Sequence, residues 1–178
     1  FGHGDVASEY ERTLDLRDAT ASTAYTVDGV HYSRTAFTSL ADNVMAVRLE
    51  ADRKGALSFD VSYSCPLEYH VAAAGNELTI ECEGAEQEGV PAALKAAAAV
   101  RVVTDGEVAA EEGRLSVRNA AAATVYISAA TNFISYDDVS GDARAKVEAA
   151  LDNASAKSYG RLLKDHRDKY GRQFGRVE

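Results

Sequence analysis

The fold is decided by the stretch Ala24-Tyr25-Thr26-Val27-Asp28-Gly29-Val30-His31-Tyr32-Ser33. An Asp-Gly pair readily adopts the positive φ angles of a two-residue type I′ turn. The turn therefore predicts a β-hairpin in which Val27 lies opposite Val30 and Tyr25 opposite Tyr32, forming one apolar, aromatic face. The opposite face is predicted to meet water. The other predicted pairs are Thr23 with Arg34, Thr26 with His31, and Ala24 with Ser33.

Length and charge limit the functions open to this chain. Its 178 residues suffice for one domain with an appendage, and its formal net charge is −9. This acidity argues against binding to nucleic acid or to an anionic membrane surface. No run approaches the roughly 18 apolar residues of a membrane helix, and the first residues lack the zones of a signal peptide. A chain that begins at Phe1 is expected to be a piece of a longer protein.

Before about residue 130, most segments alternate apolar and polar side chains and are separated by glycine turns, a pattern typical of an antiparallel β-sandwich. In segment 56–63 the apolar face carries Leu57, Phe59, Val61 and Tyr63. Turns are predicted at Lys54-Gly55, Gly75-Asn76, Asp105-Gly106 and Glu112-Gly113. Further inward-facing positions are predicted at Met45, Val47, Leu49, Leu78, Ile80, Leu115, Val117, Val125 and Ile127.

The alanine-rich segment 92–100 has the composition of a helix. Pro91 precedes it, however, and Val100 runs on into Val102 and Val103 without a stop signal. The Asp105-Gly106 pair then closes a second apparent hairpin. We therefore predict a long strand over residues 94–104, with alanine tolerated where opposing layers approach closely.

After Asp137 and Asp138 the apolar period changes to that of helices. Asp142 is predicted to cap a first helix whose buried face carries Ala143, Val147, Ala150 and Leu151. A second helix is predicted after residues 153–155, with Asp165 paired to Lys169 on its solvated side. This second helix is expected either to lie on the sandwich or to lead to a domain that is not here. Its apolar stripe carries Tyr159, Leu162, Leu163, His166, Tyr170, Phe174 and Val177.

The two cysteines, Cys65 and Cys82, have no metal-ligand spacing. One interpretation is a pair of small, buried or half-buried thiols in neighbouring strands. The other is a disulfide closing a loop of about 17 residues, which requires an oxidising compartment.

A family resemblance emerges from the order of several segments. In order they are Tyr10-Glu11-Arg12-Thr13-Leu14-Asp15-Leu16, Tyr25-Thr26-Val27-Asp28-Gly29-Val30-His31-Tyr32-Ser33-Arg34-Thr35-Ala36-Phe37, Asp42-Asn43-Val44, Val47-Arg48-Leu49, Glu88-Gly89-Val90, Ala129-Ala130-Thr131-Asn132-Phe133 and Tyr136-Asp137-Asp138. Together they resemble the amino-terminal domain of glycoside hydrolase family 95, the inverting α-L-fucosidases and relatives active on α-galactosides. The tail from Tyr159 to Val177 resembles that family's linker into its catalytic domain.

The resemblance implies a supersandwich-like β-sandwich over residues 1–138, incomplete at its N-terminal side, and a helical linker over residues 139–178. The family opens with a tryptophan-rich segment, whereas this chain has no tryptophan and starts after it. The resemblance also implies a helical-barrel catalytic domain as partner, a carbohydrate substrate reached through the parent protein, and a secreted or cell-surface location. The missing strands are expected to leave a sheet edge open to self-association.

No residue of the chain is predicted to be catalytic, and no cofactor or metal is predicted. The acidic pairs Glu86/Glu88, Glu111/Glu112 and Asp137/Asp138 are interpreted as solvated turn residues, with Asp137 and Asp138 initiating a helix. His3, His31, His70 and His166 form no metal-binding pattern, and His166 is predicted to be a packed residue making one hydrogen bond.

The alternative function is a stand-alone carbohydrate-binding module, because aromatic rings on a sandwich can stack on sugars. Most aromatic residues here, such as Tyr25, Tyr32, Phe59 and Tyr63, occupy inward positions that core packing explains.

Overall fold

The computed structural model of the chain describes residues 1–177, and residue 178, the last of the predicted linker, lies outside them. In this part of the chain eleven strands precede two helices. The strands are β1 (Ser8–Asp15), β2 (Thr20–Val27), β3 (Val30–Ser39), β4 (Val44–Ala51), β5 (Leu57–Ser62), β6 (Tyr69–Ala74), β7 (Glu77–Glu83), β8 (Lys95–Thr104), β9 (Glu107–Glu111), β10 (Arg114–Ala120) and β11 (Ala122–Thr131). The helices are α1 (Ala143–Ser155) and α2 (Tyr159–Phe174). Neither helix is long and apolar enough to cross a membrane.

The strands form two antiparallel sheets, as the alternation of side chains predicts. The large sheet has the order β1-β2-β3-β4-β11-β8-β7-β6, and the small sheet has the order β5-β10-β9. The fold is therefore mainly β, and the predicted antiparallel sandwich is confirmed.

The hairpin of β2 and β3 has the predicted register. Val27 pairs with Val30 and Tyr25 with Tyr32. Asp28 has a φ angle of 50° and Gly29 one of 70°, the left-handed conformations that a type I′ turn requires.

The main core lies between the two sheets. The small sheet contributes Leu57, Phe59, Leu115 and Val117, which are all at most 5% exposed. The large sheet faces them with side chains from almost all of its strands: Tyr25, Val27, Val30, Tyr32, Leu49, Leu78, Ile80, Val100, Val102, Ala123 and Val125. Burial of this apolar surface is the principal stabilising term of the fold.

The outer face of the large sheet is covered by the helices, so the centre of the molecule has three layers. The predicted inward face of β4 is correct for Leu49 but wrong for Met45, which is 40% exposed. Val44 and Ala46, on the other face, are buried beneath the helices. The members of this second core are Phe37, Val44, Ala46, Ala97, Ala99, Tyr126, Val147, Leu151, Ala154 and Leu162.

The alanine-rich segment is a strand, as predicted. In β8, Val100 and Val102 point into the main core, whereas Ala97 and Ala99 lie under the helices. Small side chains at these two positions allow a helix to approach the sheet closely.

Helix α1 begins as predicted, with the Asp142 carboxylate accepting a hydrogen bond of 2.9 Å from the Ala145 N–H. Helix α2 begins at Tyr159, and Ser158 caps it. The predicted pairing of Asp165 with Lys169 is wrong. Asp165 instead pairs with Lys157 and Arg161, because its side chain points back toward the loop between the helices.

Helix α2 lies on the sandwich, which is one of the two arrangements expected from its sequence. His166 is 1% exposed, and its ring stacks on Phe37 with 4.7 Å between the centroids. Its Nε2 donates a hydrogen bond of 2.9 Å to the Asp18 carbonyl. The predicted packed histidine with one hydrogen bond is confirmed, whereas Val177, at the end of the predicted stripe, is 86% exposed.

Candidate interdomain surface

The loops at one end of the large sheet carry much of the exposed apolar surface. Antiparallel pairing brings segments 16–19, 40–43, 63–68, 84–94 and 132–142 to this end, which we call the loop end. Of the seventeen exposed large apolar side chains within residues 1–177, nine lie in these segments: Leu16, Leu40, Leu67, Val90, Leu94, Phe133, Ile134, Tyr136 and Val139. Apolar side chains concentrated at one end of a domain are typical of an interaction surface.

Six of these side chains belong to two adjacent loops, and we call them the apolar loop patch. They are Val90, Leu94, Phe133, Ile134, Tyr136 and Val139. Tyr136 stands at the tip and is 95% exposed, while Phe133 and Ile134 are 51% and 56% exposed. A single exposed apolar side chain is ordinary, whereas six of them grouped on two adjacent loops are informative.

Asn132 joins the two loops of the patch. Its Nδ2 donates hydrogen bonds to the carbonyls of Ala93, at 3.0 Å, and Val139, at 2.8 Å. Its Oδ1 accepts a hydrogen bond of 2.9 Å from the Lys95 N–H. The backbone N–H of Gly141 also donates to the Asn132 carbonyl. These contacts hold both loops in one conformation, a role that the sequence motif around Asn132 did not disclose.

The loop that carries Tyr136 is a tight turn closed by its own backbone. The N–H groups of Ile134 and Ser135 both donate to the Asp138 carbonyl, and the Ser135 hydroxyl donates to Asp137 at 2.7 Å. Hydrogen bonds from the hydroxyl and N–H of Ser140 hold the pKa of Asp138 below its ordinary value. The predicted helix-initiating role of Asp137 and Asp138 is wrong, because Asp142 caps α1 and these two residues stabilise the turn before it.

The remaining acidic pairs lie outside the turn that carries Tyr136. Glu86 and Glu88 are exposed in segment 84–94, and Glu88 has a φ angle of 50° beside a bridge between Gln87 and Val90. Glu111 lies at the turn between β9 and β10, where its ion pair with Arg114 lowers the pKa of its carboxyl.

The histidines are dispersed. His31 and His70 are exposed, His3 packs on Tyr25 and Tyr32, and His166 lies on the buried face of α2. Within residues 1–177 no three His, Cys, Asp or Glu side chains are grouped in a way that could hold a metal ion.

A cleft of about 490 Å³ lies beside the patch, between the start of α1 and strands β7 and β8. Charged side chains of both signs line it, among them Glu81, Lys95, Asp142 and Arg144. Arg144 lies 3.9 Å from Glu81, and Lys95 pairs with Glu83 at 2.8 Å. Since none of its lining residues is aromatic, the cleft lacks the ring on which a sugar face would stack.

An ion-pair network holds the loop between α1 and α2 against segment 40–43 at the loop end. Asp42 is buried and lies next to the loop between α1 and α2, where Lys157 binds it at 2.5 Å. The Ser39 hydroxyl donates to the second Asp42 oxygen at 2.8 Å. The sequence singled out Asp42 as part of a motif, but its partner Lys157 was missed because the two residues are 115 positions apart.

Comparison with known proteins agrees with this architecture. The family model described as "Glycosyl hydrolase family 65, N-terminal domain" matches residues 1–136. The chain belongs to this family. The expected resemblance to an N-terminal β-sandwich domain of a glycoside hydrolase is thereby confirmed.

Two individual proteins extend the comparison. "Alpha-L-fucosidase 2" of Arabidopsis thaliana is 28% identical over 197 residues, covering 96% of this chain and 23% of the relative. The solved structure titled "Putative kojibiose phosphorylase from human microbiome" superposes with a TM-score of 0.60 at 13% identity, over 93% of this chain and 25% of the other. The second likeness shows the fold alone. The chain spans about a quarter of the length of either protein.

Proposed function

We propose that this chain is the non-catalytic N-terminal domain of a longer glycoside hydrolase that acts on α-L-fucosides or related α-galactosides. In this proposal it supports a helical-barrel catalytic domain of the same polypeptide, in a secreted or cell-surface protein. Its family membership and the fucosidase named among its relatives support the assignment.

The observation that carries the supporting role is the apolar loop patch. Apolar side chains that only stabilised the fold of this chain would be buried. Tyr136 is instead 95% exposed, on a turn held by backbone hydrogen bonds. Aromatic side chains supply large contact areas at interfaces, and prior fixation of the loops lowers the entropy lost on docking. A partner domain placed on the loop end would cover Phe133, Ile134 and Tyr136 together.

The hydrogen bonding of two candidate acidic side chains, Asp138 and Glu111, supports a non-catalytic role. An inverting hydrolase needs a general acid with a raised pKa, facing a general base across about 6.5–9.5 Å. The pKa values of Asp138 and Glu111 are instead lowered by their hydrogen-bond partners. Both carboxylates therefore suit structural hydrogen bonding better than proton donation.

The test compares substitutions in the isolated chain and in the full-length parent protein. Leu94 immediately precedes β8 and Val103 lies near the other end of that strand; the two are 47% and 45% exposed, but only Leu94 belongs to the patch. Tyr136→Ser and Leu94→Ser should leave the melting temperature of the isolated chain almost unchanged and lower that of the parent. Val103→Ser is the matched control and should change neither. Turnover of an aryl α-L-fucoside by the isolated chain would refute the proposal.

A stand-alone carbohydrate-binding module is the second candidate, and the exposed ring of Tyr136 is the observation that favours it. Titration with fucosylated or galactosylated glycans would distinguish the two. Saturable chemical-shift changes at Tyr136 would support the binding module, whereas no response at millimolar sugar would favour the supporting domain.

A further inference from the structure

A groove of about 670 Å³ lies on the inner face of the large sheet, where no residue of the small sheet lines it. All of its lining residues belong to β1, β2, β3 and β4. Paired residues of neighbouring strands form its floor in two rows. The first row consists of Arg12, Thr23 and Arg34, and the second contains Leu14, Ala21 and Ala36. We call this feature the sheet groove.

The sheet groove is basic although the chain is acidic. The formal net charge of the chain is −9, yet no lining residue of the groove is acidic and two are arginines. Within residues 1–177, neither Arg12 nor Arg34 forms an ion pair with a carboxylate. Seven other arginines in this part of the chain do so: Arg48, Arg101, Arg114, Arg118, Arg144, Arg161 and Arg167. Both positive charges of the groove are therefore available to an acidic ligand.

Aromatic rings hold the guanidinium of Arg34 in place. Its Cζ lies 5.0 Å from the centroid of the Phe1 ring and 5.7 Å from that of the Tyr25 ring. The side chain is half-buried, and its Nε is buried without an acceptor in the described part of the chain. The guanidinium therefore has unused capacity to donate hydrogen bonds. Arg12 lies two strands away, about 10 Å between the backbones, so both side chains can reach one ligand above Thr23.

Tyr10 adds an aromatic ring to the sheet groove. The residue is 59% exposed, and its ring packs on the ring of Tyr25 with 6.4 Å between the centroids and 27° between the planes. Leu14, next to it on the same face of β1, is 68% exposed. An exposed ring and apolar surface beside the Thr23 hydroxyl suit a sugar, whose C–H groups stack on the ring while its hydroxyls accept and donate hydrogen bonds.

The pairing of the floor strands argues against a peptide as the ligand. β2 and β3 are each paired on both sides, so their backbone groups are already used in the sheet. An extended peptide therefore could not add a strand at the floor of the groove. A sugar needs no backbone pairing, because side chains alone can bind its hydroxyl and carboxylate groups.

We propose that the sheet groove binds a saccharide that carries a carboxylate. Arg34 binds the carboxylate through two parallel hydrogen bonds, Arg12 adds a second positive charge, and Tyr10 stacks on the sugar ring. The sheet groove shares no residue with the apolar loop patch. The proposal therefore depends neither on the interdomain role of that patch nor on the substrate of the parent enzyme.

The test titrates the chain with trigalacturonate at pH 7 while the chemical shifts of the backbone amides are recorded. Saturable changes should appear in β1, β2 and β3, around Thr23. Maltotriose, a neutral saccharide with the same number of sugar rings, should cause no such changes. This comparison separates recognition of the carboxylate from recognition of sugar rings in general.

Four variants assign the contacts. Arg34→Gln should weaken the binding of trigalacturonate at least tenfold, and Tyr10→Ala should weaken it several-fold. Arg12→Gln, on the exposed edge strand, should also weaken it several-fold and tests the charge of the groove even if Arg34→Gln fails to fold. Arg172→Gln is the matched control, because it removes one exposed positive charge from α2, on the other side of the large sheet, and should leave the affinity unchanged.

Several outcomes would overturn the proposal. They are the absence of saturable changes at millimolar trigalacturonate, changes confined to the loop end, equal binding of maltotriose, and an equal loss of affinity in Arg172→Gln. Binding of tetraglutamate as tight as that of trigalacturonate would also overturn it, because the groove would then recognise charge without recognising a sugar. None of these outcomes would bear on the apolar loop patch, which is tested by the melting temperature of the parent protein.

Discussion

The ammonium of Lys157 lies 2.5 Å from a carboxylate oxygen of Asp42, joining the loop between the two helices to the turn between β3 and β4. The Asp42 side chain is only 3% exposed, so Lys157 and the Ser39 hydroxyl take the place of water around its carboxylate. A buried carboxylate without a partner destabilises the folded state, so the pair is important for holding the helices on the sheet.

Asp42→Asn should lower the free energy of unfolding by about 1–2 kcal/mol, since Lys157 is partly solvated and can recover some hydration. Urea denaturation monitored by circular dichroism measures the change. Glu148→Gln, which removes an exposed pair with Arg144 in α1, is the control and should change stability by about 0.5 kcal/mol or less. Equal losses in both variants would contradict the special role of the Asp42 pair.

Asn132→Ala should release the two loops of the apolar patch. The substitution removes three side-chain hydrogen bonds, and the half-buried position suggests a loss of about 1–2 kcal/mol. Amide hydrogen exchange should accelerate in segments 90–94 and 133–141 and remain unchanged in the hairpin of β2 and β3. Uniform acceleration along the chain would indicate global destabilisation instead.

Gly106→Ala should be destabilising because there is no room for a side chain at the turn between β8 and β9. An added Cβ would lie 2.4 Å from the Arg118 carbonyl oxygen and 2.8 Å from Ala120, both fixed in β10. We expect a loss of about 1–3 kcal/mol in chemical denaturation. A neutral result would mean that β10 can shift away from this turn.

Gly160→Ala should have the opposite effect and stabilise the fold. A Cβ at this position in α2 meets no atom within 4 Å, and alanine restricts the unfolded chain more than glycine does. The melting temperature should rise by an amount that corresponds to about 0.5–1 kcal/mol. A decrease would show that the exposed face of α2 has a contact that alanine disturbs.

Asp165 should contribute to the loss of stability in acid. Hydrogen bonds from Lys157 and Arg161 lower the pKa of Asp165 in the folded state below the unfolded value of about 3.9. Its stabilising contribution is therefore fully present above about pH 4 and is lost as the pH falls through the folded pKa. Asp165→Asn should be less stable than the unsubstituted chain at pH 7, and the difference in stability should shrink at pH 3. Asp168→Asn, in the same helix, should show little difference at either pH.

The parts of the fold that depend on neighbouring residues were predictable. The turn at Asp28 and Gly29 dictates its own φ angles, and those angles fix the pairs on either side of it. The strand of alanines was predictable for a similar reason, because Pro91 and the turn at Gly106 bound it. The cap at Asp142 is likewise a contact over three residues.

The parts of the fold that depend on residues distant in the sequence could not be predicted. Segment 44–49 has apolar side chains on both faces. The alternation of apolar and polar residues therefore does not predict that helices bury Val44 and Ala46 while Met45 stays exposed. Asn132 acts on residues 37 and 39 positions earlier in the chain. Asp165 had two possible basic partners within one helical turn, and only the position of the loop between the helices decides between them.

The hydrogen bond from His166 to Asp18 has a consequence for the order of folding, because 148 residues separate its partners. A ribosome synthesises the segment around Asp18 first and the helix that fixes it last. The hairpin of β1 and β2 can pair locally, but its turn, which contains Asp18, acquires its final contacts only after α2 has been synthesised and has packed on the sheet. The two ends of this domain therefore reach their native structure together. A truncation at one terminus should destabilise the segment at the other.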